Sequence, residues 1–302
     1  MAHENNCLDC HNGQGANTDI LTQVQKVSTG GKYHDVIAST THSSTEPIKG
    51  PVNHVECQDC HNPHAANNST AVAPYVNGPL LGVSGINASD IAVNEIQYSY
   101  ELCFRCHGSG SGRPSSRISR LLPQDNVILE FATNNPSYHP VEGPGNNSNV
   151  PSLISPLTAS SVIYCTDCHS SDGTSSPKGP HGSTFTPMLK LQYITDDNTP
   201  ESATAYALCY SCHNRSSILN NSSFGEHDKH IRGERTPCSV CHDSHGINSG
   251  QGNSINNSNL INFDLSIVSP NSQDRLYFED QGMFRGRCYL TCHGEDHNPL
   301  SY

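Results

Sequence analysis

Apolar residues occur along this chain in short stretches, separated by longer runs rich in Asn, Ser, Gly and Pro. These polar and turn-forming residues favour loops over long regular elements. Two stretches predict short helices, residues 90–102 and residues 200–208, the second with Thr199 as a candidate N-cap. Strand-like content at 262–268 and 276–278 predicts a small hairpin. The pattern therefore predicts a mostly irregular or coil fold with short α-helices and little β-structure.

The composition argues against a conventional hydrophobic core. Hydrophobic residues make up 33% of the 302 residues and tryptophan is absent, whereas globular domains have roughly 45–50% apolar residues. A chain this polar is typical of disorder when no cofactor is bound. A folded protein with this sequence therefore needs apolar surface from another source.

A short pattern of cysteine and histidine repeats along the whole chain. Cys-x-x-Cys-His occurs six times, and a seventh copy is one residue wider. Together the seven copies use all 14 cysteines. The copies are Cys7, Cys10 and His11; Cys57, Cys60 and His61; Cys103, Cys106 and His107; Cys165, Cys168 and His169; Cys209, Cys212 and His213; Cys238, Cys241 and His242; and Cys288, Cys292 and His293.

The histidine decides between the chemical readings of this pattern. A lone Cys-x-x-Cys also fits half a zinc site, a redox dithiol or a disulfide. Histidine is 18 of 302 residues, so its recurrence after all seven pairs has a chance probability of roughly one in hundreds of millions. The pattern predicts covalent attachment of seven c-type haems, in which two thiols bind the porphyrin and the histidine binds the iron. The wider copy needs one residue to bulge outward.

Seven haems would supply the missing core. There would be one porphyrin for about 43 residues, and each pair of thioether bonds restricts the unfolded chain as a disulfide does. We therefore predict a haem-cored multihaem cytochrome c that does not fold without haem.

The motifs form a repeat of motif, free histidine, motif, free histidine. It predicts three haem-pair units: residues 1–102 with two haems, 103–208 with two haems, and 209–302 with two haems plus the seventh. We expect the units to form one continuous haem-stacked body.

The second axial ligand of each iron is expected to be histidine. Eleven histidines lie outside the motifs, while the chain has only three methionines. Irons with two histidines lack the Met ligand that raises the reduction potential, so low potentials are expected. The repeat predicts ligands in the middle of each unit at His34, His139 and His230, and at the end of each unit at His64, His181 and His245.

The seventh distal ligand is less constrained by the repeat. His297 is favoured, with His54, His42 and His227 as alternatives, and His227 and His230 are interchangeable in this reasoning. His64, His245 and His297 each follow a motif histidine by three or four residues, which places them on the same side of that haem. Such ligands must serve a neighbouring haem, in this chain or in the next.

Charge and hydropathy limit the partners. The net charge is −12 at pH 7, which argues against nucleic acid and anionic lipid as partners. No apolar run approaches the ~20 residues of a membrane span. Thioether attachment of haem takes place outside the inner membrane, so we expect a secretion signal to have been removed or to lie outside this sequence.

Two sets of segments resemble known cytochromes. Residues 60–64, 227–230 and 241–246 resemble doubled C-x-x-C-H families of multihaem c-type cytochromes, and the tail at 290–302 is similar to extracellular cytochromes that polymerise into haem filaments, or nanowires. The resemblance implies an extracellular or cell-surface homopolymer with haem contacts between subunits, which exports electrons to other redox cytochromes or extracellular acceptors.

Electron transfer is the favoured function, and no enzymatic activity is expected. Six-coordinate iron has no open position for a substrate. One alternative is a monomeric shuttle in the periplasm or at the cell surface. A multihaem reductase is disfavoured, because such enzymes often carry a C-x-x-C-K motif and none occurs here.

Overall fold

The computed structural model describes residues 3–26, 31–37, 47–50, 55–110, 116–173, 175 and 177–302. Most of these residues lie in turns and irregular segments, with short helices and small antiparallel sheets. This confirms the predicted fold class. Two of the alternative ligands, His42 and His54, lie outside the described residues. Within the described ranges, every helix is too short or too polar to span a bilayer.

The helices are short, and several contain a haem motif. The α-helices are α1 His3–Leu8, α2 Ile20–Val24, α3 Cys57–Cys60, α4 Ser99–His107, α5 Val127–Phe131, α6 Cys165–Cys168, α7 Ala207–Tyr210, α8 Arg215–Leu219 and α9 Cys238–Cys241. Residues Gly78–Leu80 and Ser258–Leu260 form 3₁₀ turns, and Lys229–Gly233 forms a π turn.

Both predicted helices are shorter than expected. The first begins only at Ser99, because the side chain of Asn87 accepts hydrogen bonds from the amides of Ser89 and Ile91 and forms a turn there. The second begins at Ala207, after Ser202 has accepted a bond from the amide of Ala205. Local side-chain bonds of this kind compete with helix formation.

The strands are β1 Lys32–Tyr33, β2 Gly85–Ile86, β3 Ala92–Val93, β4 Ser137–Tyr138, β5 Gly182–Ser183, β6 Gly246–Ile247, β7 Val268–Ser269, β8 Tyr277–Asp280, β9 Gly286–Cys292 and β10 Glu295–Ser301. The predicted hairpin between 262–268 and 276–278 is wrong. Strands β7 and β8 do not pair with each other; each pairs with β9, whose other edge pairs with β10.

The chain divides into two compact units. The first unit contains Met1–Pro114 and Ile163–Gln192 and carries motifs one to four. The second contains Ser115–Val162 and Tyr193–Tyr302 and carries motifs five to seven. These boundaries differ from those of the three haem-pair units, which remain a prediction about how the haems are grouped.

A two-residue bridge recurs in both units and positions free histidines. In the first unit β1 pairs with β5, so that His34 and His181 lie directly beside the bridge. In the second unit β4 pairs with β6, which places His139 and His245 in the same way. In each of the two structural units, the bridge therefore joins the middle free histidine of one haem-pair repeat to the last free histidine of the next repeat.

A glycine makes each bridge possible. A Cβ added at Gly182 would lie 2.0 Å from the carbonyl oxygen of Gln23, and one at Gly246 would lie 2.1 Å from that of Glu130. Both contacts are with backbone atoms, which cannot move aside as a flexible side chain would.

We expect Gly246→Ala to destabilise the second unit by about 1–3 kcal/mol, the usual range for overpacking. Gly225→Ala is the matched control, because its added Cβ would meet no atom within 4 Å. Thermal unfolding of the haem-loaded protein measures both. Equal melting temperatures for the two variants would contradict the close approach.

Candidate haem sites

Five of the motifs end in the same backbone hydrogen bond. The amide of the motif histidine donates to the carbonyl of the first cysteine at 2.8–2.9 Å, which closes one helical turn. This turn brings the two thiols to one side and leaves the histidine at the end of the helix. The bonds join His11 to Cys7, His61 to Cys57, His169 to Cys165, His213 to Cys209 and His242 to Cys238.

Carboxylates stabilise the beginning of three motif helices. Asp59 accepts from the amide of Glu56 at 2.8 Å, Glu101 from that of Tyr98 at 3.0 Å, and Asp167 from that of Tyr164 at 2.8 Å. Each is half of a capping box, which satisfies an amide that the helix itself leaves unpaired. The acidic residue before the second cysteine of motifs two and four therefore has a local structural role.

The motif cysteines are thiols that lie close to one another. All 14 are unbridged. Burial raises the pKa of Cys57 and of Cys60 to about 12, and that of Cys106 to about 11. These groups stay protonated at neutral pH, as is required for an S–H that adds across a vinyl group.

Five pairs of histidines face each other in the described part of the chain. Four of these pairs combine one motif histidine with one free histidine, and none combines two motif histidines. The ring centroids are 6.2–6.5 Å apart in His34–His107, His61–His181, His139–His213, His227–His242 and His230–His297.

These spacings fit an iron held between two imidazoles. A metal–imidazole bond is about 2.0 Å long and a ring nitrogen lies about 1.1 Å from its ring centroid, so two rings on one metal have centroids about 6.2 Å apart. The residues present therefore suit the two axial positions of a haem.

In most of the paired histidines, and also in His11 and His245, the other ring nitrogen is held by the protein. Ligating histidines usually donate this second N–H to a carbonyl or carboxylate, which fixes the ring and its tautomer. Here Nδ1 lies 2.6–3.0 Å from an oxygen, which leaves Nε2 for a metal. The partners are Thr18 for His11, Pro180 for His34, Pro79 for His61, Ser244 for His139, Ser152 for His213, Glu226 for His230, Asn259 for His242, Glu130 for His245 and Tyr302 for His297.

Two histidines are held differently. The Nδ1 atoms of His181 and His227 are buried without a hydrogen-bond partner. His181 lies nearly parallel to His61, with 16° between the rings, and His227 packs edge-on against Phe224 at 5.3 Å. Packing rather than hydrogen bonding therefore sets the orientation of these two rings.

Burial keeps several of these imidazoles neutral, which is the form that binds metal. Burial lowers the pKa of His139 and of His181 to about 4, and that of His227 to about 3. Neighbouring imidazoles lower the same pKa values further: His213 acts on His139, His61 on His181, and His242 on His227. Protonation therefore does not compete strongly with metal binding at these positions.

The remaining predicted ligands have other surroundings. His64 is exposed. His245 lies with Nδ1 2.8 Å from the carboxylate of Glu130 and packs against Phe131 at 5.0 Å. The Glu130 contact raises the pKa of His245 against the opposing effect of burial. His293 is exposed, and its Nε2 lies 2.9 Å from Asp197.

Sequence reasoning did not anticipate Arg120 in the surroundings of the sixth motif. Its guanidinium is buried and donates to the carbonyls of Ser239, Asn262 and His242 at 2.6, 2.8 and 2.9 Å. It also lies 3.5 Å from the carboxylate of Asp243. The arginine therefore ties the motif helix α9 to the chain that follows it. No local signal marks it, since its partners are more than 100 residues away.

We expect Arg120→Met to destabilise the haem-loaded protein by roughly 3–5 kcal/mol, because it leaves Asp243 and three carbonyls without their buried partner. Arg232→Met is the matched control, since Arg232 pairs with Asp228 on an exposed helical surface. The control should change little. Chemical unfolding, monitored at the haem Soret band, measures the stability of both variants. Similar unfolding midpoints would contradict the role of Arg120.

Comparison with known proteins identifies one family. Residues 155–217 match the doubled CXXCH motif family, a segment that contains motifs four and five. No curated protein and no solved structure matches the chain. The match supports a multihaem c-type cytochrome, and the motifs indicate covalently bound haem c.

Proposed function

We propose that this chain transfers electrons through seven covalently bound c-type haems, each held by two histidines. The observation that carries the proposal is the set of opposed imidazoles. In the first unit these are His61 with His181 and His107 with His34; in the second unit the motif histidines His213 and His242 face His139 and His227. The bound haem would supply an iron that alternates between the ferric and ferrous states.

The chain's own residues would hold this iron. The cysteines would attach the porphyrin, and the two histidines would bind the iron. Hydrogen bonds at Nδ1, or packing at His181 and His227, preset the rings, so little rearrangement would be needed when the charge on the iron changes. The absence of a methionine ligand at these pairs favours low reduction potentials.

The order of the motifs in space supports conduction within each unit. In the first unit the thiol of Cys57 lies beside that of Cys7, Arg105 forms a 2.9 Å ion pair with Asp59, and the thiol of Cys103 lies beside that of Cys165. Motifs one to four therefore neighbour one another in sequence order. In the second unit the thiol of Cys209 lies beside that of Cys238, and Cys241 lies close enough to Cys288 to interact with it electrostatically. Motifs five, six and seven therefore also neighbour one another in sequence order.

Two axial imidazoles on each iron leave no position for a substrate, so we propose a carrier and not an enzyme. Mass spectrometry of the mature protein should find seven haems, and ferrous protein should not bind CO. Rapid binding of one CO per chain would instead indicate a reductase with one open iron. Fewer than seven haems would contradict the proposed count.

We further propose that the chain works outside the cell, or at its surface, as the subunit of a polymer. The support is the resemblance of residues 290–302 to the tail of filament-forming cytochromes. Its electron partners would be other redox cytochromes or extracellular acceptors. Electron microscopy of secreted material should show filaments, and size-exclusion chromatography should show growth with concentration. A monomer at every concentration would favour a periplasmic or cell-surface shuttle.

A further inference from the structure

The same local structure occurs once in each compact unit. In both, a five-residue helix lies against the two-residue bridge, and the carbonyl of its fourth residue closely approaches the bridge glycine. In the first unit this residue is Gln23 of α2, beside Gly182, and in the second it is Glu130 of α5, beside Gly246. Both side chains are buried. The two helices therefore place their fourth residue at corresponding positions.

The residue before each bridge glycine is a free histidine, His181 in the first unit and His245 in the second. In the second unit the carboxylate of Glu130 lies 2.8 Å from Nδ1 of His245, so that this N–H donates to a carboxylate. In the first unit Nδ1 of His181 and Oε1 of Gln23 are both buried without a hydrogen-bond partner. A neutral amide thus stands in the first unit where a carboxylate stands in the second.

Contacts that do not involve its carboxylate hold Glu130 in place. The side chain of Asn135 donates to the backbone carbonyl of Glu130 at 2.9 Å, and Asn126 caps the helix by accepting from an amide of its first turn at 3.1 Å. The neighbouring Phe131 packs against the ring of His245 at 5.0 Å. The carboxylate can therefore be replaced by an amide of the same shape while these supports remain.

The charge of Glu130 distinguishes it from the other Nδ1 partners described above, which are neutral carbonyl or hydroxyl oxygens. Asp243 and Arg120 also act electrostatically on His245, but in opposite directions and less strongly than Glu130. Hydrogen bonds to an ionised acceptor are roughly twice as strong as neutral ones, and a carboxylate makes a ligating imidazole more basic. A more basic imidazole stabilises ferric iron relative to ferrous iron.

We propose that Glu130 is a positioning residue that lowers the reduction potential of the haem ligated by His245, whereas Gln23 leaves the haem ligated by His181 at a higher potential. The inference rests on the proposed function, because it needs a haem iron at each histidine. The reaction is the one-electron change between ferric and ferrous iron, with the electron exchanged with the redox partners of that function. The Nδ1 proton stays in its hydrogen bond.

Spectroelectrochemical titration of haem-loaded variants, with the two side chains exchanged, tests this proposal. Glu130→Gln should raise one potential, so that the ferrous-to-ferric ratio of that haem rises about tenfold at a fixed applied potential, or about 59 mV for a one-electron couple. Gln23→Glu should lower one potential, because the new carboxylate meets the unpartnered Nδ1 of His181. In a His245→Met background, Glu130→Gln should have little further effect, since methionine has no Nδ1–H.

Asp264→Asn is the matched control, because Asp264 is a buried carboxylate of the second unit whose hydrogen bonds go to the amide and hydroxyl of Ser266. An equal shift in this variant would show that any buried charge suffices and would overturn the role of the hydrogen bond. Unchanged potentials in Glu130→Gln or in Gln23→Glu would overturn it as well. Should Glu130→Gln lose haem, Glu130→Asp keeps the charge with a shorter reach and should raise the same potential by less.

Failure of the proposed function looks different. The parent protein would then contain fewer than seven haems or bind CO before any substitution. If the parent passes both tests but His245→Ala creates no CO-binding haem, His245 is not an iron ligand. The role of Glu130 would then be refuted, while electron transfer through the other haems would stand.

Discussion

Protein prepared without haem is expected to show no cooperative unfolding transition. The chain has too little apolar side-chain surface to order itself. Its two clusters of buried apolar residues in the second unit are small, one formed by Val240, Phe263, Val268, Phe278 and Leu290 and the other by Ala205, Tyr206, Leu219 and Ile231. Fixing the backbone of each residue costs roughly 1–2 kcal/mol, so these two clusters cannot order the second unit by themselves.

The position of the clusters explains the dependence on haem. Motif cysteines Cys241, Cys288 and Cys292 pack against the first cluster, and Cys238 packs against the second. A porphyrin attached to these thiols would extend each cluster with a large apolar plate. The apolar side chains are therefore arranged to continue a haem-based core.

A variant with all 14 cysteines changed to alanine provides the haem-free protein, and the haem-loaded parent is the control. Far-UV and near-UV circular dichroism during heating should show a sigmoidal transition in the parent alone. A native-like near-UV spectrum with a cooperative transition in the variant would refute the haem-cored interpretation.

The sequence predicted the local features of the sites because they are encoded within a few residues. The motif turn depends on a bond between Cys57 and His61 four positions apart, and its cap on Asp59. The free histidines that face motif histidines were also named from the repeat, with His227 only as an alternative. Local chemistry and the counting of motifs were sufficient to name these residues, and their binding of iron stays a prediction.

Pairing in space was not predictable from the repeat alone. His34 reaches His107 because β1 pairs with β5, 150 residues further along the chain. That bridge depends on a glycine contact with Gln23, which no periodic pattern reveals. The seventh motif departs from a helical turn for a similar reason, since β9 is ordered by pairing with three other strands.

Replacement of His34 should open one iron in the first unit and change nothing at the others. His34 faces His107 at 6.2 Å, and its Nδ1 is fixed by the carbonyl of Pro180 at 2.9 Å, so Nε2 is the ring nitrogen left for a metal. We expect His34→Ala to raise CO binding from none to one per chain and to produce one high-spin haem. Lys32→Ala is the matched control, since Lys32 is exposed on the same strand segment.

His34→Met separates ligation from structure at the same position. Methionine can restore six-coordinate iron, and an axial methionine raises the reduction potential relative to histidine. This variant should therefore bind no CO, while one of the seven potentials moves upward in a spectroelectrochemical titration. In the proposed sequence-order path through the unit, the shifted haem should also slow transfer from motif two to motif four. Unchanged potentials in His34→Met, together with no CO binding in His34→Ala, would show that His34 does not ligate an iron.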